Sequence, residues 1–250
     1  MLQSQRNDYI LKELQLGKPL SVIDLSNKLE VSVDTIRRDL KSLDSQGLLK
    51  YVRGGACLPD TMLSFSNFKG REIINSSLKR DAAKKAVKFV KEGDIIALNA
   101  GTTNTILAQE LVQLNFEFTV VSNNLAALNI LMENSSIKYI CIGGKIDGTE
   151  RATYGSQCTD EFGEYIADIA FLSINAVNLN EGFTDFRLNE IPVIKTLSKN
   201  SKKVIAVMDS SKMNKLSKKK ALSLHDVDIL VTDSQFPSMA EYEKNGVIVL

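Results

Sequence analysis

Apolar positions near the start of the chain repeat at helical spacing. Val33, Ile36, Leu40 and Leu43 lie three and four residues apart and form one stripe. Ser32 is placed to cap this helix and Gly47 to stop it. Before it, Ser21 and Asp24 have capping-box spacing and open a helix with Leu25 and Leu29 on one face. Glu30 and Val31 leave only a tight turn between the two helices. Upstream, Tyr9, Ile10 and Leu14 predict a first helix ended by Gly17 and Pro19. Downstream, Leu48 to Val52 followed by Arg53, Gly54 and Gly55 predict a short hairpin. Two helices joined by a tight turn, with a hairpin wing after them, form a winged helix-turn-helix.

A different pattern begins farther along. Ser76 or Ser77 opens a helix running to Lys91, with Leu78, Ala82, Ala86 and Val90 inward. From Gly93 short apolar runs alternate with amphipathic ones. Strands are predicted at 95–98, 119–121, 139–142, 169–174, 203–207 and 229–231, with helices at 106–114 and 125–132 among the segments between them. The last residues, Val-Ile-Val-Leu, predict an edge strand. Such alternation gives a parallel sheet with helices on both faces, an α/β fold whose ligands bind beyond the carboxyl ends of the strands.

The polar positions then carry the chemistry. On the second helix of the helix-turn-helix, Asp34, Arg38, Lys41 and Ser45 oppose the apolar stripe, flanked by Thr35 and Arg37. Arginine forks match guanine edges or phosphates, and short hydroxyls pair with either. Ser21, Ser32, Asp34, Thr35, Arg37, Arg38, Lys41 and the wing's Arg53 are therefore the candidate DNA contacts. Taken alone, an arginine pair is most often a solvated helix face; the assembled helices and wing favour a groove reader.

The segments after the strands form a second set: Asn99 to Asn104; Ser122, Asn123 and Asn124; Gly143, Gly144 and Lys145; Asn175; Asp209 to Lys212; Thr232 and Asp233. Glycines, hydroxyls, amides and two lysines at one end of a sheet suit a small polar anion. At Gly101-Thr102-Thr103 a glycine lets the backbone approach a phosphate, and the following helix offers free N–H groups. From this motif alone the plainer reading, Thr103 as a helix cap, is the stronger one. Neither a GxxxxGK[ST] nor a GxGxxG motif is present, so no nucleotide class is favoured. Asp209 to Lys212 is likewise either a site or a turn.

Composition narrows the class without naming the function. The chain has 250 residues, 31 basic against 30 acidic, and a net charge of +1, so DNA contact requires a local patch. Nine lysines between Lys195 and Lys220 accompany a single acid, Asp209, and read as solvated surface. The lone His225 has no metal-binding or nucleophile partner near it in sequence. Cys57, Cys141 and Cys158 are odd in number with no CxxC spacing, so no metal site and no disulfide framework is expected. With no apolar run of membrane-spanning length and no signal-peptide core at the start, a cytoplasmic protein without a membrane partner is expected.

The run VSVDTIRRDLKSLDSQGLL followed by RGGA resembles the winged helix-turn-helix of the DeoR family of bacterial transcriptional regulators. GDIIALNAGTT, TVVSNN, IGGK, DIAFLSINAV, GFT and VIAVMDSSK resemble successive blocks of that family's effector domain. The resemblance spans about residues 5 to 233. It implies a Rossmann-like second domain similar to ribose-5-phosphate isomerase and CoA-transferase subunits, which in the family binds phosphorylated sugars. Carried over by position, Gly101, Thr102 and Thr103 hold phosphate, and Ser122, Asn123, Asn124, Gly143 and Gly144 line the site. Asn175 and Lys212 meet sugar hydroxyls or phosphate; Lys145 and Lys195 complete the candidate set. Arg53 stands where the family usually has His, Asn175 where many relatives have Asp, and Ala176 where Gly is common. NEIPVIK, at 189–195, carries a proline and aligns loosely with a Glu-rich helix.

The expected organisation is a DNA-binding domain at 1–56, a linker at 57–75 in which Phe65 and Phe68 are available for docking, and an effector domain at 76–250. The expected function is repression of a sugar-metabolism operon, without a cofactor. Double-stranded operator DNA and a phosphorylated sugar are the partners, and the chain acts as a homodimer or homotetramer because one small domain reads only a half-site. Two rivals remain. One is a sugar-phosphate isomerase using Asp185, Glu190 or Lys195 as base; the other is an activator or a DNA-binding scaffold without a small ligand.

Overall fold

The computed structural model describes residues 3–15, 19–45, 48–57, 68–233 and 239–250. The chain divides into two compact units, Met1–Ser76 and Ser77–Leu250. The stops expected at Gly17 and Gly47, and the docking expected of Phe65, fall outside the described residues.

The first unit contains α1 (Gln3–Gln15), β1 (Leu20–Ser21), α2 (Val22–Leu29), α3 (Val33–Ser45), β2 (Lys50–Val52), β3 (Gly55–Cys57) and α4 (Phe68–Ile73). Its core joins Ile10 and Leu14 of α1 to Leu25 and Leu29 of α2, Ile36, Leu40 and Leu43 of α3, and Ala56 of the wing. Ser21 caps α2, its hydroxyl accepting from Ile23 and Asp24 N–H. Glu30 ends α2 in the left-handed region at φ 53°, and Ser26 Oγ donates to the Val31 carbonyl at 2.6 Å, which tightens the turn. The wing is a three-stranded sheet in the order β1-β3-β2. Gly55 is required there because any Cβ would run into the Leu20 carbonyl oxygen. Part of the stretch expected as a connector is helical: α4 buries Phe68. A helix of one and a half turns has too few apolar positions to display a period.

The second unit contains α5 (Ser76–Ala86), β4 (Ile95–Leu98), α6 (Thr102–Leu111), β5 (Phe118–Ser122), α7 (Leu125–Leu131), β6 (Ile137–Cys141), β7 (Lys145–Asp147), β8 (Ala152–Tyr154), α8 (Ser156–Gly163), β9 (Ile169–Leu172), β10 (Ala176–Asn178), β11 (Gly182–Asp185), α9 (Glu190–Lys199), β12 (Val204–Val207), β13 (Lys219–Leu222), β14 (Ile229–Val231), α10 (Met239–Lys244) and β15 (Ile248–Val249). α5 stops at Ala86, and a 3-10 turn over Val87–Phe89 replaces the remainder of the expected helix. Seven strands form one parallel sheet in the order β15-β14-β12-β9-β4-β5-β6. Alternate residues feed two cores: Ile96 and Leu98 face one, Ala97 the other. The antiparallel pieces β10-β11-β13 and β7-β8 were absent from the sequence reading. Most of these strands are three or four residues long and lack the apolar runs of the main sheet.

The strand order fixes where a ligand can enter. From β4 the chain builds outward through β5 and β6; the later strands build the other way through β9, β12 and β14. The order therefore reverses between β4 and β9, the point at which the loops of an open α/β sheet part to form a crevice.

Candidate functional site

In the first unit α3 presents its polar face outward. Ser32, Asp34, Arg37, Arg38 and Lys41 are exposed, with Thr35 half-buried. Ser32 caps α3: its hydroxyl accepts the Thr35 N–H at 3.2 Å and pairs with Thr35 Oγ1 at 2.8 Å. Arg37 Nη1 lies 3.1 Å from Asp34 Oδ1. Arg53 is exposed at the wing turn beside Gly54. Arg38 and Lys41 are thus aligned along the exposed face, whereas Ser21 and Ser32 spend their hydroxyls on caps. The sequence reading missed Asp39, a buried acid on this helix that bonds Arg6 of α1.

In the second unit Gly101 is the N-cap of α6 at φ 143°. Thr103 is a helical residue, so it does not cap the helix. A glycine cap has no side chain to give, and the N–H groups of the first turn have no partner within their own helix. A Cβ at position 101 would strike Ser173 Oγ and approach Arg187 Nη1 to 3.0 Å, so the turn is packed tightly against the end of β9. Asn99 locks that junction, accepting the Ser173 N–H at 2.7 Å and donating to the Ser173 carbonyl at 3.1 Å. Asn104 Nδ2 adds bonds to the Asn99 and Phe171 carbonyls at 3.0 and 2.8 Å.

Around the turn stand residues from three other segments. Asn124 caps α7 through the Ala127 N–H and donates to the Gly101 carbonyl at 3.2 Å. Ser122 Oγ donates to the Leu98 carbonyl at 2.7 Å. Asn123 Nδ2 donates to the Thr153 carbonyl at 2.8 Å and to Glu190 Oε2 at 3.3 Å, and its buried Oδ1 has no partner among the described residues. Lys212 Nζ donates to Thr103 Oγ1 at 3.4 Å and lies 3.8 Å from Asp209 Oδ2. Asn175 lies at the end of β9, its N–H donating to Asp185 Oδ2 at 3.1 Å.

A buried ionic network underlies the crevice. Arg187 holds Asp185 with Nε to Oδ1 at 3.0 Å and Nη2 to Oδ2 at 2.7 Å, and donates to the Ala100 and Ser173 carbonyls at 2.7 and 2.8 Å. Burial alone would lower the guanidinium's affinity for its proton; the Asp185 carboxylate, with Glu190, outweighs that and holds it above its ordinary value. Because four of its five N–H donors are committed, Arg187 acts as a clamp on the turn and not as an anion receptor. Glu190 Oε1 accepts the Ala100 N–H at 2.8 Å. Burial pushes this carboxyl up to about 7, against the opposing pull of Arg187. Arg187 was missed in the sequence, where only the close run of Asp185, Arg187 and Glu190 after Gly-Phe-Thr hinted at it.

Other expected residues stand apart. Gly143 and Gly144 follow β6, two strands from β4, and Gly143 N–H donates to Glu161 Oε2 at 2.9 Å. Gly144 packs beside Cys158, whose thiol burial pushes up to about 12, leaving it unreactive. Lys145 is exposed on β7. Lys195 faces another cavity, of about 560 Å³, with Lys199, Lys220 and His225. Its place on α9 sets it five residues after Glu190, on a face turned from the crevice. Of the nine lysines from Lys195 to Lys220, only Lys212 is drawn inward; the rest are exposed.

An isomerase needs a carboxylate free to act as base. Asp185 is committed to Arg187 and the Asn175 N–H, and Glu190 to Ala100 and Asn123. Among the described residues no helix is long and apolar enough to cross a membrane.

Comparison with known proteins gives the family. Residues 6–62 match the DeoR-like helix-turn-helix domain, and residues 74–234 match the DeoR C terminal sensor domain. The HTH-type transcriptional regulator GolR of Listeria innocua is 32% identical over 98% of this chain and 95% of its own. The glycerol-3-phosphate regulon repressor of Escherichia coli K12 is 27% identical over 95% of this chain and 93% of its own. Ribose 5-phosphate isomerase A of Methanocaldococcus jannaschii is similar over 56% of this chain and 55% of that one, with 22% identity and a TM-score of 0.42. The chain therefore belongs to the DeoR family of helix-turn-helix transcriptional regulators, with a DNA-binding unit followed by a parallel-sheet sensor domain, and it is a regulator and not an enzyme.

Proposed function

We propose that this regulator represses a sugar-metabolism operon from the cytoplasm and that a phosphorylated sugar, bound in the crevice between β4 and β9, lowers its affinity for operator DNA. The observation that carries the reading is the Gly101 turn. It combines an uncapped helix N-terminus, a glycine pressed against the neighbouring strand end, and the Lys212 ammonium 3.4 Å from Thr103 Oγ1. Backbone N–H groups, the positive end of the α6 dipole and one lysine suit a phosphate monoester. The Thr102 and Thr103 hydroxyls add side-chain donors to the phosphate, Asn123 and Asn175 supply polar groups for the hydroxylated remainder, and Ser122 and Asn124 hold the floor. The relative named for a glycerol-3-phosphate regulon supports an effector of this chemical class.

Residues 1–56 read DNA through Arg37, Arg38, Lys41 and Arg53, residues 57–75 connect, and 76–250 sense the effector. Two copies meet a two-half-site operator, since one reading helix covers a single half-site. The test is fluorescence anisotropy of the pure protein on its own upstream DNA across salt concentrations, with a panel of sugar phosphates and the matching unphosphorylated sugars. The reading requires specific binding with a steep salt dependence, released by a phosphorylated sugar and not by its parent. Binding indifferent to every phosphorylated compound would refute the sensor assignment.

A further inference from the structure

The apolar stripe of α3 places the helix on its neighbours but does not fix its rotation. Ile36, Leu40 and Leu43 are buried against α1 and α2, and apolar contact is non-directional, so a small roll of α3 would cost it little. A different contact is directional. Asp39, buried on α3, receives Arg6 Nε at 2.7 Å on Oδ2 and Arg6 Nη2 at 3.2 Å on Oδ1, and Gln3 Nε2 at 3.1 Å on Oδ1. All three donors come from α1. A guanidinium fork and a carboxylate meet in one plane, so the pair defines one rotation of α3 about its axis.

Asp39 directly follows Arg38, and Arg37 and Lys41 lie within two residues of it. The rotation that the fork fixes is therefore the rotation that aims those cations. Burial of a charge pair adds little to stability when compared with apolar replacements of similar volume, whereas a unique geometry is what such a pair supplies best. We infer that Arg6 and Asp39 are positioning residues for operator recognition: they touch no base, and they set the angle at which α3 presents Arg37, Arg38 and Lys41 to the groove.

Charge and positioning make opposite predictions for one variant. Asp39→Asn removes a negative charge from a DNA-facing helix, so electrostatics alone would raise affinity for any duplex. Positioning predicts that its operator affinity falls at least tenfold while its affinity for a scrambled duplex holds or rises. The double variant Arg6→Met with Asp39→Leu removes the pair without stranding a charge. It is expected to unfold at a temperature near that of the parent and to lose most of the operator-to-scrambled ratio. Arg6→Lys, which keeps the charge but not the fork, should recover only part of it. Anisotropy on the full chain with its own upstream DNA and the scrambled duplex, alongside thermal unfolding, reads all three. A stable double variant that keeps the parent's ratio overturns the inference, as does Asp39→Asn binding operator and scrambled DNA more tightly by the same factor.

Discussion

Glu190 Oε1 accepts the N–H of Ala100 at 2.8 Å, so a buried carboxyl holds the peptide that leads into the Gly101 turn. The carboxyl has lost the solvation that would favour its charge, and burial pushes it from 4.5 up to about 7. Below pH 4.5 it is protonated both folded and unfolded and carries no penalty. Between 4.5 and 7 the unfolded chain gives up its proton first, so this group's contribution to stability falls as pH rises and is fully lost above about 7. Glu190→Gln keeps an acceptor for Ala100 and removes the titration. The parent should lose stability relative to this variant by up to about 3 kcal/mol between pH 4.5 and 7.5, measured by urea unfolding. Parallel pH profiles would show that Glu190 ionises normally.

Arg187 ties the Gly101 turn to Asp185. Arg187→Met strands the Asp185 carboxylate and takes the Arg187 donor from the Ala100 carbonyl, while Asn99 still donates to that of Ser173. Breaking a buried pair from one side costs about 3–5 kcal/mol, and thermal unfolding should show a loss of that order. Asp185→Leu in the same chain should recover part of it.

The phosphate assignment is tested by Thr102→Ala with Thr103→Ala. Operator affinity should match the parent's, since these side chains belong to the second unit, while release by sugar phosphate should disappear. A normal response from the double variant would put the phosphate elsewhere.

Two cations on α3 separate by role. Arg38→Ala should cost about 1–3 kcal/mol on operator if the fork reads a base, with relaxed selectivity at that position. Lys41→Ala, if it meets phosphate, should weaken operator and scrambled DNA alike and reduce the salt slope by about 1. A uniform loss in both variants would make both phosphate contacts.

The elements most legible in the sequence were those whose stability comes from regular apolar repeats. The α3 stripe could be read because burial of one face imposes a period of 3.6, and the strands Ile95–Leu98 and Ile229–Val231 because parallel strands buried on both faces are continuous apolar runs, as is the edge strand near the end of the chain. The strand-end loops at Gly101, Ser122 and Asn175 were also legible, because an α/β sheet dictates where its polar ends fall. What joins those loops was not. Arg187 reaches Ala100 across 87 positions and Arg6 reaches Asp39 across 33. A buried ion pair leaves in sequence only two ordinary charged residues, each indistinguishable from a solvated one. Lys195 was misplaced by the same difficulty in reverse, since a lysine beside a site segment looks no different from one that faces away. The β7-β8 hairpin was missed because Lys-Ile-Asp and Ala-Thr-Tyr form no apolar run and are too short for alternation to show.

Control of DNA binding by the sensor domain is most directly tested through its reciprocal. Once a releasing sugar phosphate is found, its affinity for the protein should be measured with and without saturating operator DNA. Linkage requires that operator weaken the sugar phosphate by the same factor by which the sugar phosphate weakens operator. Equal affinity in the two measurements would contradict the account.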